Sequence, residues 1–304
     1  MDDIVVKVLS ELVPGGVRRG DLRRGTRTLR WVEAGSGGPA VVFDAALGEP
    51  GSLAWAGVLP AVAEHTRVIA YDRAGVGASD PVSPLTVEGE VADLAALISQ
   101  AGQGRCVLVG HSWGGLLAQL AAFSHPDLVA GLVLVDPAHE ETSAALPWPL
   151  RAVLSAPGHA ALLLHRLGLA GRMVRGTFRP FARRLTSDPQ LQALILDAYA
   201  SCYSKRTQVQ MLRDENRLGT TAIPHIRHIR ATSALPDVPI VVLSATKGLP
   251  KGIRSRWTKL QASLTEAAAG QHLIAQDTGH AIHQERPEQV TATVIDVVGH
   301  IRQP

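Results

Sequence analysis

One short segment, VLVGHSWGGLLAQLAA at residues 107–122, constrains the fold of this chain more than any other. An apolar run typical of a buried strand passes directly into a pattern typical of a buried helix. A reversal this sharp strains the backbone at its apex, and the residues beside the apex must be almost free of side chains. Gly110 and Gly114 meet that need on either side of Ser112. The G-x-S-x-G pattern therefore predicts a strand–turn–helix unit with the Ser112 hydroxyl at a helix N-terminus; the alternative is a tightly packed turn without a chemical role.

Short apolar runs alternate with longer helical patterns along most of the chain. Strand-like runs occupy residues 41–46, 67–72, 107–112, 132–137, 240–245 and 272–277. Helical patterns occupy residues 53–65, 87–100, 255–269 and 287–301. This alternation predicts an α/β fold with a parallel sheet covered on both faces by helices. The stretch from Val17 to Glu33 alternates more strictly and predicts an antiparallel edge hairpin around Gly25.

The alternation stops after residue 137 and resumes near residue 236. Between them there are no strand-like runs, and prolines interrupt the helical pieces at positions 147, 149, 157, 180 and 189. We interpret residues 138–235 as an inserted helical subdomain, a cap, on a core formed by residues 1–137 and 236–304.

The insertion carries an excess of positive charge. Between Pro147 and Thr232 stand four acidic residues and thirteen basic ones, which are Arg151, Arg166, Arg172, Arg175, Arg179, Arg183, Arg184, Lys205, Arg206, Arg213, Arg217, Arg227 and Arg230. A solvated helical surface explains this excess, and an anionic substrate or a negatively charged surface is the alternative. No nucleic-acid-binding motif accompanies the charge, so we predict no nucleic-acid partner.

Composition and the terminal segment indicate which class of protein this is and where in the cell it works. The chain of 304 residues is 46% hydrophobic and 19% charged, as expected for a globular protein with one large core. No apolar run has the length of a membrane span, and the first residues lack the pattern of a signal peptide. Cys106 and Cys202 form no recognisable disulfide or metal spacing, which favours a cytoplasmic protein. Residues 4–13 predict a short amphipathic helix that docks on the protein's own surface, with membrane contact as the alternative.

A serine hydroxyl becomes a strong nucleophile only when a base accepts its proton and an acid orients that base. His280 lies in DTGHAIHQERP, directly after the last predicted strand, where a loop reaches the same sheet edge as Ser112. We therefore predict His280 as the base; a surface histidine in a turn is the alternative.

Three blocks of this sequence, GHSWGG, YDRAGVGASD at 71–80 and GHAIHQERP at 279–287, resemble the recurrent blocks of the α/β-hydrolase superfamily. The resemblance covers roughly residues 26–137 and 237–303. It implies an α/β-hydrolase fold with an eight-stranded, mostly parallel sheet, and with a helical cap after strand six, where the insertion lies. In this family Asp72 and Arg73 would brace their loop.

The acid departs from the commonest pattern of the family. Most members carry an aspartate after strand seven, but that segment reads IVVLSATKG here and has no carboxylate. Some members place the acid after strand six, which points to Asp136 at the end of LVLVD. Glu140 and Glu141 are the reserve candidates, and Asp136 as a cap of the turn before Pro137 is the alternative without chemistry.

The remaining predicted site residues donate hydrogen bonds to the oxyanion or line the substrate pocket. An oxyanion needs backbone N–H groups, and we assign these to Trp113 and Leu47. His111, His139 and His283 are candidates for lining the pocket, with core packing as the alternative. No cofactor motif or metal-binding cluster is recognisable, so we predict neither a cofactor nor a metal.

These residues predict a serine-dependent hydrolase of a carboxylic ester, lactone or thioester, with a small ester-like molecule, neutral or anionic, as substrate. An acyltransferase or cyclase with the same triad, or a ligand-binding descendant without activity, are the alternatives. In this family the covalent mechanism of epoxide hydrolases uses an aspartate at the turn, which Ser112 excludes. The sequence leaves the oligomeric state open.

Overall fold

The computed structural model describes residues 3–145, 170–266, 268 and 270–303. These residues form one eight-stranded sheet with the strand order β1-β2-β4-β3-β5-β6-β7-β8. The strands are β1 (Arg18–Arg24), β2 (Arg27–Ala34), β3 (Val41–Asp44), β4 (Val68–Asp72), β5 (Cys106–His111), β6 (Val129–Val135), β7 (Ile240–Ala245) and β8 (Gln271–Ala275). All six strand-like runs of the sequence are confirmed as strands, with ends shifted by a few residues.

The sheet is antiparallel at one side and parallel elsewhere. β1 and β2 form the predicted edge hairpin, and β2 also runs antiparallel to β4. The other neighbouring pairs are parallel. In the paired register His111 lies opposite Val135, which lies opposite Leu243. The carboxyl ends of β5, β6 and β7 therefore meet at one sheet edge, where ligands of open α/β sheets bind.

Helices cover both faces of the sheet. Outside the segment that joins β6 to β7, they are α1 (Asp3–Leu12), α2 (Leu59–Ala63), α3 (Val87–Ala101), α4 (Trp113–Ser124), α10 (Lys251–Glu266), α11 (Ile282–Glu285) and α12 (Pro287–Arg302). The single helix predicted over residues 53–65 is wrong: a 3₁₀ turn over Gly51–Trp55 precedes the short α2. Pro60, the second residue of α2, has no N–H to donate back to the preceding turn, so the two pieces stay separate.

In its described parts, the segment between β6 and β7 contains helices joined by loops, and no strand. Its helices are α5 (Glu140–Ala145), α6 (Ala170–Leu185), α7 (Pro189–Tyr203), α8 (Arg206–Thr221) and α9 (Ile223–Thr232). Pro180 lies inside α6 without ending it, contrary to the prediction from sequence. The apolar face of α6 holds the helix in place, because Val174 and Phe181 are buried and Phe178 stacks on Tyr199 of α7 at 4.0 Å. The prolines at positions 147, 149 and 157 lie outside the described residues.

The N-terminal helix packs on the protein itself, which confirms the docking interpretation. Val5, Val8 and Leu9 of α1 are buried in the same core cluster as α7. Within the described ranges, no helix combines the length and the apolar character needed to cross a membrane. Cys106 and Cys202 are buried, and no disulfide joins them.

Candidate active site

The G-x-S-x-G segment forms a strained turn between β5 and α4. Ser112 has a φ of +51°, in the left-handed region that side-chain-bearing residues rarely adopt. A Cβ atom on Gly110 would lie 2.4 Å from the carbonyl oxygen of Gly114. A Cβ atom on Gly114 would lie 2.5 Å from the carbonyl oxygen of Asp44. Both glycines are therefore required by close backbone approach, and the strain fixes Ser112 at the start of α4.

Asp136 and His280 meet at the same sheet edge. Asp136 directly follows β6 and is fully buried, and its Oδ2 lies 2.6 Å from His280 Nδ1. Its Oδ1 accepts hydrogen bonds from Arg254 at 2.9 Å, from the Gln261 side-chain amide at 3.0 Å and from the Ala245 N–H at 3.2 Å. A carboxylate with this many donors is held in one orientation, facing the imidazole ring.

The charges around this pair set opposite protonation preferences. Burial favours the neutral form of Asp136, but the hydrogen bond and charge of His280, aided by Arg254 and Gln261, lower its pKa to about 2. Desolvation of the half-buried His280 ring lowers the pKa of this residue, although the Asp136 carboxylate works against it. The ring lies 5.2 Å from the Trp257 ring, centroid to centroid. At neutral pH the site therefore holds an ionised aspartate against a neutral histidine, the state a general base requires.

The other candidate acids lie away from His280. Glu140 is paired with Arg230 at 2.7 Å, and Glu141 with Arg227 at 2.5 Å. Both arginines belong to α9. The end of β7 brings no carboxylate to the site, and instead donates the Ala245 N–H to Asp136. The three strand ends thus contribute a hydroxyl, a carboxylate and a backbone N–H.

The loop after β3, residues 45–49, is held by a buried arginine, and we call it the β3 loop. The Arg73 guanidinium donates to the carbonyl oxygen of Ala45 at 2.6 Å and to that of Ala46 at 3.0 Å. It also pairs with the Asp44 carboxylate at 2.5 Å. These contacts show how Arg73 holds the backbone of the β3 loop in place.

The N–H groups next to Leu47 in the β3 loop all have hydrogen-bond acceptors. Ala46 N donates to Glu49 Oε2 at 2.8 Å, and Gly48 N donates to Glu215 Oε2 at 2.8 Å. Glu49 N donates to the carbonyl oxygen of Ala46 at 3.2 Å. Leu47 N has no hydrogen-bond acceptor within the part of the chain that the structure describes. Its neighbours are therefore fixed while this donor remains available.

The second predicted donor belongs to Trp113, the first residue of α4, whose N–H precedes the helical hydrogen-bond ladder. The Trp113 indole N–H donates to Glu90 Oε2 at 3.0 Å. Glu90, Asp44 and Glu215 surround the single guanidinium of Arg73. Burial, and then the Glu215 charge, raise the pKa of Glu90 to about 8, so the network contains a protonated carboxyl at neutral pH.

The three histidines predicted to line a pocket are buried. His139 lies 3.3 Å from Glu140, in the loop after β6. His111 Nδ1 lies 3.2 Å from Glu49 Oε2, and His283 Nε2 lies 3.4 Å from Glu49 Oε1. We call Glu49, His111 and His283 the Glu49 cluster.

Among the described residues, the Glu49 cluster is the one group of three His, Cys, Asp or Glu side chains whose potential metal-binding atoms all lie within 4.8 Å of one another. These residue types and distances are compatible with a metal ion, and equally with a shared proton. In the structure their polar atoms face one another directly, in contacts of hydrogen-bond type.

Several supporting residues escaped the sequence analysis. Arg254 and Gln261, which bind Asp136, are seven residues apart and therefore on one face of α10. That spacing was visible, but nothing in it indicated which buried carboxylate the pair would meet. Glu49 and Glu215 gave no local signal for their contacts with His111 and Gly48, because these partners are 62 and 167 residues away in sequence.

Residues 35–293 match the sequence profile of the alpha/beta hydrolase family. The chain belongs to the alpha/beta hydrolase family. The resemblance seen in three short blocks of sequence is thereby confirmed, and it extends across the insertion.

Two curated relatives are similar to this alpha/beta hydrolase over part of their sequence. A lipase of Mycobacterium tuberculosis is 39% identical over 92 residues, which cover 30% of this chain and 35% of the lipase. A soluble epoxide hydrolase of Corynebacterium sp. is 32% identical over 145 residues, which cover 47% of each protein. The chain thus spans about a third to a half of the length of these relatives.

The fold extends further than the sequence similarity. The structure of an epoxide hydrolase from Vigna radiata matches 93% of this chain and 98% of its own, with a TM-score of 0.73 and 18% identity. The α/β-hydrolase fold, with its eight-stranded, mostly parallel sheet and flanking helices, is confirmed.

Proposed function

We propose that this protein is a serine-dependent hydrolase of carboxylic esters, a class that includes lactones and thioesters. The observation that carries the proposal is the 2.6 Å hydrogen bond between His280 Nδ1 and Asp136 Oδ2. It lies at the sheet edge where the strained turn of Ser112 ends β5. A hydroxyl on a strained turn, a histidine and a buried carboxylate at one edge are the parts of an acyl-transfer site.

Each residue has one role in the proposed reaction. Ser112 Oγ attacks the ester carbonyl carbon while His280 Nε2 takes the hydroxyl proton. Asp136 holds the ring by Nδ1 and stabilises the imidazolium that forms. The negative oxygen of the tetrahedral intermediate accepts hydrogen bonds from the N–H groups of Leu47 and Trp113.

The second half of the reaction restores the enzyme. His280 gives its proton to the departing alcohol, which leaves an acyl group on Ser112. Water, deprotonated by His280, attacks that acyl group, and the acid product leaves with Ser112 regenerated. In this scheme residues 138–235 form a cap over the site and select the substrate.

The similarity to a lipase supports ester chemistry, whereas the similarity to epoxide hydrolases supports only the fold and the family. The residue at the turn separates the two: this chain carries serine where the covalent mechanism of epoxide hydrolases uses aspartate. We therefore infer ester hydrolysis from Ser112, although epoxide hydrolases are among the similar proteins.

Covalent labelling tests the assignment. The wild-type protein should react with a fluorophosphonate probe at Ser112, and Ser112→Ala should lose that label while staying folded. Ser124→Ala changes an exposed serine at the end of α4 and should label normally. Labelling of Ser112→Ala at another serine, or an unlabelled wild-type protein, would contradict the assignment.

Turnover tests the base, the acid and the acceptor. With p-nitrophenyl esters, His280→Ala and Asp136→Asn should stay folded and lose turnover, the latter by roughly 10⁴-fold in kcat, as in serine proteases. Analysis of products with an added alcohol identifies the acceptor. The free acid is expected, and a dominant ester product would show an acyltransferase instead.

A further inference from the structure

The Glu49 cluster lies directly behind the predicted base, and the proposed reaction does not use it. The His111 ring centroid is 4.6 Å from that of His280 and 4.4 Å from that of His283. His111 and His283 are almost completely buried. Because the three titratable side chains contact one another, each contact between a ring nitrogen and the Glu49 carboxylate needs a hydrogen between the two atoms.

The hydrogen-bond partners of His111 show which of its two ring nitrogens carry a hydrogen. Nε2 lies 2.9 Å from the backbone carbonyl oxygen of His280, which can only accept, so Nε2 carries a hydrogen. Nδ1 faces Glu49 Oε2 at 3.2 Å, and two bare lone pairs at this distance would repel each other. A further proton must therefore lie between His111 and Glu49.

The surroundings of Glu49 favour this proton on the imidazole ring. Ala46 N–H donates to the same Oε2 atom, as it would to an ionised carboxylate. Burial works against ionisation of Glu49, but the charges of His111 and His283 hold its pKa well below the ordinary range. Burial also works against a charged His111, and Glu49 raises the pKa of His111 in spite of it.

His283 completes the cluster as a neutral ring. Its Nε2 is the atom that faces Glu49, and its Nδ1 has no hydrogen-bond partner in the described part of the chain. Burial lowers the pKa of His283. The buried Trp55 ring packs beside His283, at 4.9 Å between centroids.

The pair of Glu49 and His111 connects two loops that are remote in sequence. On one side Glu49 fixes the β3 loop through Ala46 N–H. On the other side His111 fixes the backbone carbonyl of His280. One proton between the two side chains therefore joins the loop of the proposed oxyanion donor to the loop of the proposed base.

We propose that Glu49 and His111 share a permanent internal proton and act as positioning residues that lock the β3 loop to the His280 loop. The catalytic part of this inference rests on the proposed function, whereas the protonation state does not. Loss of the proton would leave a lone pair against a carboxylate and separate the loops. A cationic His111 also disfavours a second positive charge on His280.

Several titratable groups face the pair and enter its charge balance. On the site side and on α7 they are Asp136, His280, His283, Tyr199 and Tyr203. Burial raises the pKa of both tyrosines, so they stay neutral. Asp136 and Glu49 are the anions, and His111 is the cation among the rings.

Nitrogen-15 spectra of the histidine side chains of the 304-residue chain test the shared proton without any assay of activity. His111→Gln assigns the His111 signals. Both ring nitrogens of His111 should be protonated from pH 6 to 8, and one should lose its proton in Glu49→Gln. A singly protonated His111 in the wild-type protein would overturn the proposal. So would a stoichiometric metal ion, detected by elemental analysis, that disappears in His111→Gln.

Kinetics on the same variants test the positioning role. In His111→Gln we expect kcat to fall about tenfold with little change in KM, the effect of one weakened hydrogen bond. The acid limb of kcat/KM should move to higher pH, because the cation next to His280 is gone. The control His225→Gln breaks an exposed ion pair with Glu88, at 3.0 Å, and should leave both unchanged.

The outcomes separate this inference from the proposed function. A His111→Gln enzyme with the wild-type kcat and pH profile would overturn the positioning role. Fluorophosphonate labelling that misses Ser112 in the wild-type protein would contradict the proposed function, while the nitrogen-15 spectra would still decide the shared proton.

Discussion

Arg254 and Asp136 form a buried two-point ion pair, in which Nη1 of the arginine lies 2.9 Å from Oδ1 and 3.0 Å from Oδ2 of the aspartate. Both side chains are nearly inaccessible to solvent. The arginine comes from α10, the helix that follows β7. β7 has no carboxylate at its end, but α10, the helix after it, supplies the arginine that pairs with Asp136 at the end of β6.

Arg254→Gln should destabilise the protein and reduce turnover. Removing one partner of a buried ion pair leaves an uncompensated charge, at a cost of roughly 3–5 kcal/mol in the free energy of unfolding. Urea unfolding measures this loss. Arg256→Gln, an exposed change two residues further along α10, is the matched control and should unfold like the wild-type protein. Equal stability of the two variants would contradict the prediction.

The pH dependence of turnover should reflect the lowered pKa of His280. A histidine base works only when its ring is neutral, and the ordinary pKa of histidine is about 6.5. Because the pKa of His280 is lower than this, kcat/KM should stay constant as the pH falls to 6.5 and decline only at lower pH. Asp136→Asn removes the charge that raises the pKa of His280. The residual activity of that variant should therefore decline at still lower pH, and a shift in the opposite direction would count against the assignment.

Glu90 should make stability depend on pH above its normal titration range. Its pKa is raised to about 8, so the folded state keeps a proton that the unfolded chain releases near pH 4.5. Folding stability from this group is complete below pH 4.5 and is lost as pH rises to about 8. Glu90→Gln, which cannot ionise, should gain stability over the wild-type protein between pH 5 and 9. Unfolding at several pH values tests this, with the exposed Glu88→Gln as control; a constant difference would contradict it.

Glu215 should link the insertion to the site. It lies in α8, is fully buried, and binds both Arg73 and the N–H of Gly48. Glu215→Ala should lower stability by roughly 1–3 kcal/mol, because the buried Gly48 N–H loses its acceptor while Arg73 keeps its pair with Asp44. It should also lower kcat, because Gly48 follows the proposed donor Leu47. Asp214→Asn is the exposed neighbour on α8, and its kcat should equal that of the wild-type protein.

Salt should distinguish the two interpretations of the positive insertion. Several arginines are already paired, since Arg175 binds Asp197, and Arg227 and Arg230 bind glutamates of α5. If the remaining charge attracts substrate, kcat/KM for anionic esters should fall as salt screens it, while neutral esters are unaffected. The same salt profile for both esters would favour a solvated surface.

Sequence alone determined the parts of the fold that depend on local pattern. Continuous apolar runs predicted β5, β6 and β7 because strands buried on both faces exclude polar side chains. Glycine at positions 110 and 114 predicted the turn of Ser112, since backbone approach there leaves no room for a Cβ atom. The segment after β7 has no carboxylate, which together with the family resemblance pointed to Asp136, and the structure shows its hydrogen bond to His280.

Tertiary structure decided which polar groups pair in the interior. Arg254 meets Asp136 across 118 residues of sequence, and Glu215 meets Gly48 across 167. A local pattern reports that a side chain is buried, but a buried charge is stable only beside a partner, and the packing of distant elements selects that partner. For the same reason, only the folded chain brings Glu49 within 3.2 Å of His111, the contact on which the proposed shared proton rests.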